Sequence, residues 1–188
     1  MKRLEAALKA RVDFPASDLA RLKEEFVEKK LPKGELLLPM GKICRSLFFI
    51  EEGLARSFYY GDSGSDISLW FFREGEFLTN SESFFQQKPS IYNIELLEDA
   101  RLYEISHQRL EQLFEELHLI ERFGRLLAIE MLGEMIQRWH AMQFKSAKER
   151  YDFMLERYPD VFQRLRLSDI ASFLGIRPET LSRIRAKH

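Results

Sequence analysis

The chain has a single cysteine, Cys44, in 188 residues, which excludes an intrachain disulfide and any four-cysteine zinc or iron–sulfur site. Its four histidines are His107, His118, His140 and His188. None stands in a His-x-His or His-x-x-x-His pair, and all fall in helical stretches rather than on the predicted strands. That inventory argues against a metal-bearing β-barrel enzyme. No Gly-x-Ser-x-Gly elbow is present for a nucleophilic triad. No apolar run approaches the ~20 residues that span a bilayer. The opening MKRLEAALKARVDFPASDL lacks the unbroken apolar core of a secretion signal. The expectation is a cytoplasmic non-enzyme with no catalytic residue, no metal site and no certain cofactor. Cys44 beside Arg45 could be a redox thiol, but an ordinary lone thiol is the plainer reading.

With 45% hydrophobic and 31% charged residues, the chain has the composition of a globular protein able to bury one core and a small appendage. A net charge of −1 argues against a general polyanion binder. The charge is unevenly placed, however. Residues 145–188 carry ten Lys/Arg and six Asp/Glu, leaving the tail at +4 and the body at −5. This asymmetry suits an acidic sensor with a basic reader.

Periodicity divides the chain in three. Residues 1–30 read as one or two short helices, with Ser17 as an N-cap and Leu19, Leu22 and Phe26 at helical spacing. From Leu31 to Ile105, glycines punctuate short apolar and aromatic strings every ~8–12 residues, the pattern of an antiparallel sandwich or barrel. These strings are 36–38, 46–50, 55–60, 67–72, 91–97 and 100–105, with a hairpin turn at 61–64 and a short helix near Asn80–Phe85. Ser106 caps a helix with the stripe Leu110, Leu113, Phe114 and Leu117, which precedes a long helix from about Leu119 to Phe144. In the long helix Leu132, Met135, Trp139 and Met142 recur at 3-4-3 spacing, a coiled-coil seam that predicts dimerisation; the bland alternative is a helix packed on its own domain. Three shorter helices follow. The first opens with the capping box Ser146–Glu149 and stops at Pro159.

The strongest signal is the segment 167–184, LSDIASFLGIRPETLSRI. Ile170 and Leu174 form a buried stripe, Ala171 permits a close helix crossing and Gly175 supplies a left-handed turn. Ile176 plugs the space between two helices, Pro178 sits at the first position of the second, and Leu181 and Ile184 face inward. Arg177, Glu179, Thr180, Ser182, Arg183 and Arg185 are left outward or near the helix start. A helical hairpin without a DNA role needs the apolar residues and the glycine but not this polar set. Arg183 is suited to guanine and Glu179 to a cytosine amino group. Thr180, Ser182, Arg185 and Lys187 suit phosphate or register contacts.

The chain resembles the Crp/Fnr regulators over essentially its whole length. The residues that carry the resemblance are LFFIEEGLAR (47–56), Gly75-Glu76-Phe77, AKERY (147–151) and IASFLGIRPETLSRI (170–184). It looks closest to short Bacteroidetes-type members that end just after the recognition helix. The resemblance implies an α+β chain: an N-terminal jelly-roll-like, cyclic-nucleotide-binding-like β-roll, a long dimerisation helix and a C-terminal helix-turn-helix. In the family pattern an Arg-Glu pair opens the recognition helix and an arginine follows four residues after the glutamate. Glu179 and Arg183 match, whereas Pro178 replaces the first arginine, so that base is read differently, with Arg177 in reach. The family's phosphate cassette corresponds here to residues 80–90, whose candidate pocket residues are Glu82, Ser83, Lys88 and Ser90. Pro89-Ser90 stands where the phosphate-binding arginine belongs, and Lys88 is a flexible point charge. Loss of that charge-assisted interaction, worth ~1.5–3 kcal/mol, disfavours a cyclic nucleotide.

The expected organisation is a β-roll sensor with N-terminal helices at 1–118, a dimerisation helix and hinge at 119–145 and the reader at 146–188. The expected partners are a second copy, double-stranded DNA carrying an inverted repeat and, for a regulator of this type, RNA polymerase, with no membrane. The competing reading is a sensor or scaffold module whose C-terminal helices bind protein. DNA affinity that falls steeply with salt separates the two.

Overall fold

The computed structural model describes residues 1–61 and 64–186. The chain divides into two compact units, one of residues 1–57 and 71–129, the other of residues 58–70 and 130–188. The long helix of the sequence is α5, His118–Phe144, and it contributes to both.

Two short helices, α1 (Lys2–Lys9) and α2 (Ala16–Glu24), open the first unit and bury Leu4, Leu8, Leu19 and Leu22. Ser17 is not the N-cap that the spacing suggested. Pro15 holds that position in an extended conformation, and the Ser17 hydroxyl lies 3.2 Å from an Asp18 carboxylate oxygen. Two four-stranded sheets follow. One has the order β1 (Val27–Leu31), β8 (Ala100–Ser106), β3 (Ser46–Glu52), β6 (Phe77–Leu78). The other has the order β2 (Leu36–Leu38), β7 (Asn93–Leu96), β4 (Ala55–Tyr60), β5 (Asp66–Phe72). The neighbours β1/β8, β3/β8, β3/β6 and β2/β7 are antiparallel. Strand β1, within the span predicted helical, escaped the periodicity because VEKKL is exposed along nearly its whole length. Strand β6 is two residues long, too short to show a period.

In register Phe49 faces Tyr103 and Leu47 faces Ile105, so alternate residues of β3 and β8 share a face. On β3, Phe49 meets Phe77 edge-on at 4.9 Å; Phe77 meets Phe123 of α5 at 5.4 Å, and Phe123 meets Phe14 at 6.3 Å. Two residues along from Phe49, buried Glu51 accepts from the backbone N–H groups of Arg3 and Leu4, satisfying two donors at the start of α1. Helix α3 (Ser81–Gln86) begins one residue later than the sequence suggested, capped by the Asn80 side chain, and α4 (His107–Glu116) is capped by Ser106.

After α5, the second unit contains α6 (Ala147–Arg157), α7 (Val161–Arg164), α8 (Leu167–Leu174) and α9 (Pro178–Arg185). Ser146 and Glu149 form the predicted capping box. The extra single-turn helix α7 makes four helices where three were predicted. Its four residues show no full apolar period. Among the described residues no helix is long and apolar enough to cross a membrane, and no group of three or more His, Cys, Asp or Glu is placed to hold a metal.

Gly53, between β3 and β4, has φ +111°, and a Cβ there would meet the Ala100 Cβ at 2.7 Å and the Asp99 carbonyl at 3.1 Å. Gly53→Ala therefore combines left-handed strain with a backbone clash. It is expected to lower the unfolding free energy by about 1–3 kcal/mol, measured by urea denaturation of the full chain.

Candidate nucleic-acid interface

Helices α8 and α9 form the paired unit expected from residues 167–184. Ile170, Ala171, Phe173 and Leu174 bury one side of α8. Gly175 ends it at φ +64°; its N–H donates to the Ser172 carbonyl at 3.1 Å, and the Ile176 N–H reaches the Ala171 carbonyl at 3.0 Å. This double closure needs a left-handed residue between the helices, which is why glycine stands there. Buried Asp169 lies in the first turn of α8 and receives Arg166 Nε at 2.9 Å and Nη2 at 3.1 Å. A carboxylate at this end also favours the helix dipole.

Pro178 is the first residue of α9 and Arg177 its N-cap, with no side-chain capping bond. Leu181 is wholly buried and Ile184 half-buried. Around them Arg177, Glu179, Ser182, Arg183 and Arg185 are exposed and Thr180 is half-buried. The Arg183 Nη2 donates to the Thr180 hydroxyl at 3.3 Å. Arg177, Arg183 and Arg185 form no ion pair among the described residues. Six of the seven expected DNA-contacting residues are thus gathered on one short helix and its cap; the seventh, Lys187, lies outside the described residues.

The seam of α5 is open. Leu132, Met135 and Trp139 are 50%, 57% and 59% exposed, and Ile129 and Ile136 add to the same run of uncovered apolar residues. A helix leaving this much apolar surface uncovered has an unsatisfied face. Met142, the fourth seam residue, is half-buried, with its methyl beside Gly175. Helix α5 ends at Phe144 and Ser146 caps α6, which places a single linking residue, Lys145, within the expected hinge.

The four candidate pocket residues are divided. Glu82 and Lys88 are exposed, whereas Ser83 and Ser90 are buried. The Ser83 hydroxyl accepts from the Cys44 N–H at 2.8 Å and donates to the Lys88 carbonyl. The Ser90 hydroxyl accepts from the Asn80 amide at 2.7 Å and donates to the Tyr92 carbonyl at 2.6 Å. Cys44 is buried, its Sγ 3.2 Å from the Thr79 hydroxyl.

Two charged residues escaped the sequence reading. Arg56, on β4, is wholly buried and its Nε meets Glu95 of β7 at 2.6 Å. The usable signal was a charged residue inside the string 55–60, next to a strand with a glutamate within its own string. Arg138 of α5 lies over the Phe173 ring at 3.6 Å and donates to the Phe173 carbonyl at 3.2 Å. Burial pushes its guanidinium down to about 10. It sits between two seam residues in sequence and shows no signal of its own.

Residues 28–117 match the cyclic nucleotide-binding domain family. The chain is 28% identical over 184 residues to the fumarate and nitrate reduction regulatory protein of Vibrio cholerae, covering 89% of this chain and 71% of that one. In fold it is similar to FixK2 from Bradyrhizobium japonicum, with a TM-score of 0.76 and 16% identity over 86% of this chain and 83% of that one. It is likewise similar to the c-di-GMP-responsive global regulator CLP of Xanthomonas campestris, with a TM-score of 0.69 and 18% identity over 92% and 91% of the two chains.

At Gly175 an added Cβ would meet the flexible end of Met142 at 2.8 Å, so the cost of a side chain there is mainly the backbone. Gly175→Ala is expected to destabilise the chain by about 1–2 kcal/mol, and Gly175→Asn by less, because asparagine tolerates the left-handed region. Thermal melts of the two variants measure the difference.

Proposed function

We propose that the chain is a transcription regulator of the Crp/Fnr type, to which it is similar in sequence and fold, and that it reads an inverted DNA repeat in the cytoplasm as a homodimer, through α9. The observation that carries this reading is the division of α9. Leu181 is wholly buried, while the cap and outer face present Arg177, Glu179, Ser182, Arg183 and Arg185. A helix that packs by one residue per turn and projects arginine, serine and glutamate outward has the chemistry to enter a major groove and meet base edges and phosphates. Pairing of the uncovered α5 stripe in two copies supplies the second reader, with half-sites about one turn, ~34 Å, apart. RNA polymerase is the further partner that a regulator of this type implies.

The β-roll is the sensor in this reading. The serine hydroxyls of the phosphate-cassette segment are engaged within the protein, and no arginine stands at its end. We therefore assign the β-roll an effector other than a cyclic nucleotide, or a purely structural part in setting the active dimer.

Selection from a random duplex library tests the reading. An enriched inverted repeat is expected, and Arg183→Ala should lose ~1–3 kcal/mol of discrimination at one base pair per half-site. Arg185→Ala should instead weaken binding on every sequence and reduce the salt slope by about one. Equal loss on all sequences in Arg183→Ala would remove base reading from that residue. A protein whose DNA affinity does not fall with salt would point to protein-binding terminal helices.

Met135→Asp puts a charge on the uncovered stripe. It is expected to convert dimer to monomer in sedimentation velocity runs and to cost DNA affinity, while the circular dichroism of the folded chain is kept.

A further inference from the structure

Three strands of the first unit have their ends at one open cleft. Strand β1 finishes at Leu31, β3 finishes at Glu52, and β8 begins at Ala100. The cleft has a volume of about 540 Å³, and Lys30, Leu31, Pro32, Glu52, Asp99 and Arg101 line it, with Ala100 between the last two. That size suits a small molecule. The lining shares no residue with the cassette segment 80–90.

The strand register draws a row of charges across this end of the sheet. Lys30 of β1 and Glu52 of β3 are both directly opposite Arg101 of β8. Directly opposed side chains share a face, and like charges so placed weaken the pairing of their strands. The two cations are answered unequally. Arg101 Nη2 donates to Glu52 Oε1 at 2.5 Å, whereas Arg101 Nε is buried without a hydrogen-bond acceptor among the described residues. Lys30 Nζ has Glu28 at 3.9 Å, and both of those side chains are exposed. On the acidic side, Asp99 Oδ1 accepts from the Lys33 N–H at 2.8 Å, and Glu52 is engaged through Oε1. The second oxygen of each carboxylate has capacity for another donor.

We propose that this cleft binds a small zwitterion, an amino-carboxylate the size of an amino acid or a dipeptide. Its carboxylate lies between Lys30 and Arg101, and its ammonium group lies against Glu52 and Asp99. Leu31, Pro32 and Ala100 supply apolar surface for the rest of the molecule. The charge of the lining selects this class. Lys30 and Arg101 cancel Glu52 and Asp99, so a simple anion attracted by one pair is repelled by the other. A simple cation meets the converse difficulty. An uncharged apolar molecule leaves the buried Arg101 donor without an acceptor. A zwitterion answers both pairs, and its carboxylate gives the guanidinium a second charge-assisted partner. Because Lys30 and Glu52 are exposed, salt screens the attraction, and affinity falls as salt rises.

The site does not depend on DNA reading by α9, and its test contains no DNA. Amide chemical shifts of the isotope-labelled full-length protein are followed as the standard amino acids and their glycyl dipeptides are added singly, each to about 10 mM. At least one compound is expected to move the amides of Lys30, Leu31, Glu52 and Arg101 while Leu110 and Leu113 of α4 stay in place. The des-amino and the decarboxylated analogues of that compound should each bind about tenfold more weakly or worse. Lys30→Gln removes an exposed charge, and Asp99→Asn keeps an acceptor for the Lys33 N–H, so both variants should fold; thermal melts check this. Each should weaken binding about tenfold. No shift at the cleft amides with any of the compounds would overturn the proposal. A des-amino analogue that binds as tightly as its parent would overturn it in favour of a plain anion site. Binding left intact in both variants would place the compound elsewhere and overturn it too. The duplex selection decides the DNA reading separately.

Discussion

Helix α5 has to satisfy three surfaces with 27 residues, and most of the molecule is arranged by that demand. Its first turns give Ile120, Phe123 and Leu127 to the core of the first unit. Its later turns give Ala141 and Met142 to the second, with Arg138 laid on Phe173. Between and around these it carries Ile129, Leu132, Met135, Ile136 and Trp139, none of them covered. A helix apolar on so many sides shows little net amphipathicity, the expected state of an element packed from several directions. Burying a residue such as leucine or methionine contributes roughly 1.5–3 kcal/mol, so a paired stripe of five outweighs much of the entropy of bringing two copies together. The proposed pairing with a second copy would then bury the part of α5 that its own chain leaves open.

The same economy operates in α9. Eight residues cannot hold a helix by local bonding, since isolated helices shorter than about 12–15 residues are marginal in water. What holds it is Leu181 against α8, the Pro178 start and the closed turn at Gly175. Because so few positions are needed for packing, most of the outer surface is free to carry polar groups. That free surface is what the proposed reading of DNA would use.

Much of this was legible in the residues. The capping box Ser146–Glu149, the Ser106 cap, the left-handed Gly175 and Pro178 at the helix start each depend on local backbone chemistry that a short window of sequence contains. The strand strings survived because aromatic and β-branched residues alternate between glycines. What did not show was decided by distant partners. Strand β1 has no apolar face of its own and is a strand because it pairs with β8. Ser17 looked like a cap, but Pro15 took the position by its fixed φ. Nothing local marks Arg56 or Arg138: Glu95 across the sheet engages the buried one, and Phe173, 35 residues on, covers the half-buried other. The exposed polar set of α9 could be read by subtraction, since the positions not needed for packing remain.

A net charge of −1 is compatible with a polyanion partner because the reader's charges are distributed by use. In the second unit Arg166 is held by Asp169, Arg157 by Glu134, and Lys145 lies 4.7 Å over the Phe153 ring. These cations are engaged in the structure of the unit. On α9 and its cap the arginines at 177, 183 and 185 are exposed, and the acidic residue in that helix is Glu179 in its first turn, where the helix dipole favours it. Attraction to phosphate is then a local property of one helix. Under the proposed function, its modest size would leave sequence discrimination to base contacts, as a site-specific regulator requires and a general DNA-coating protein does not.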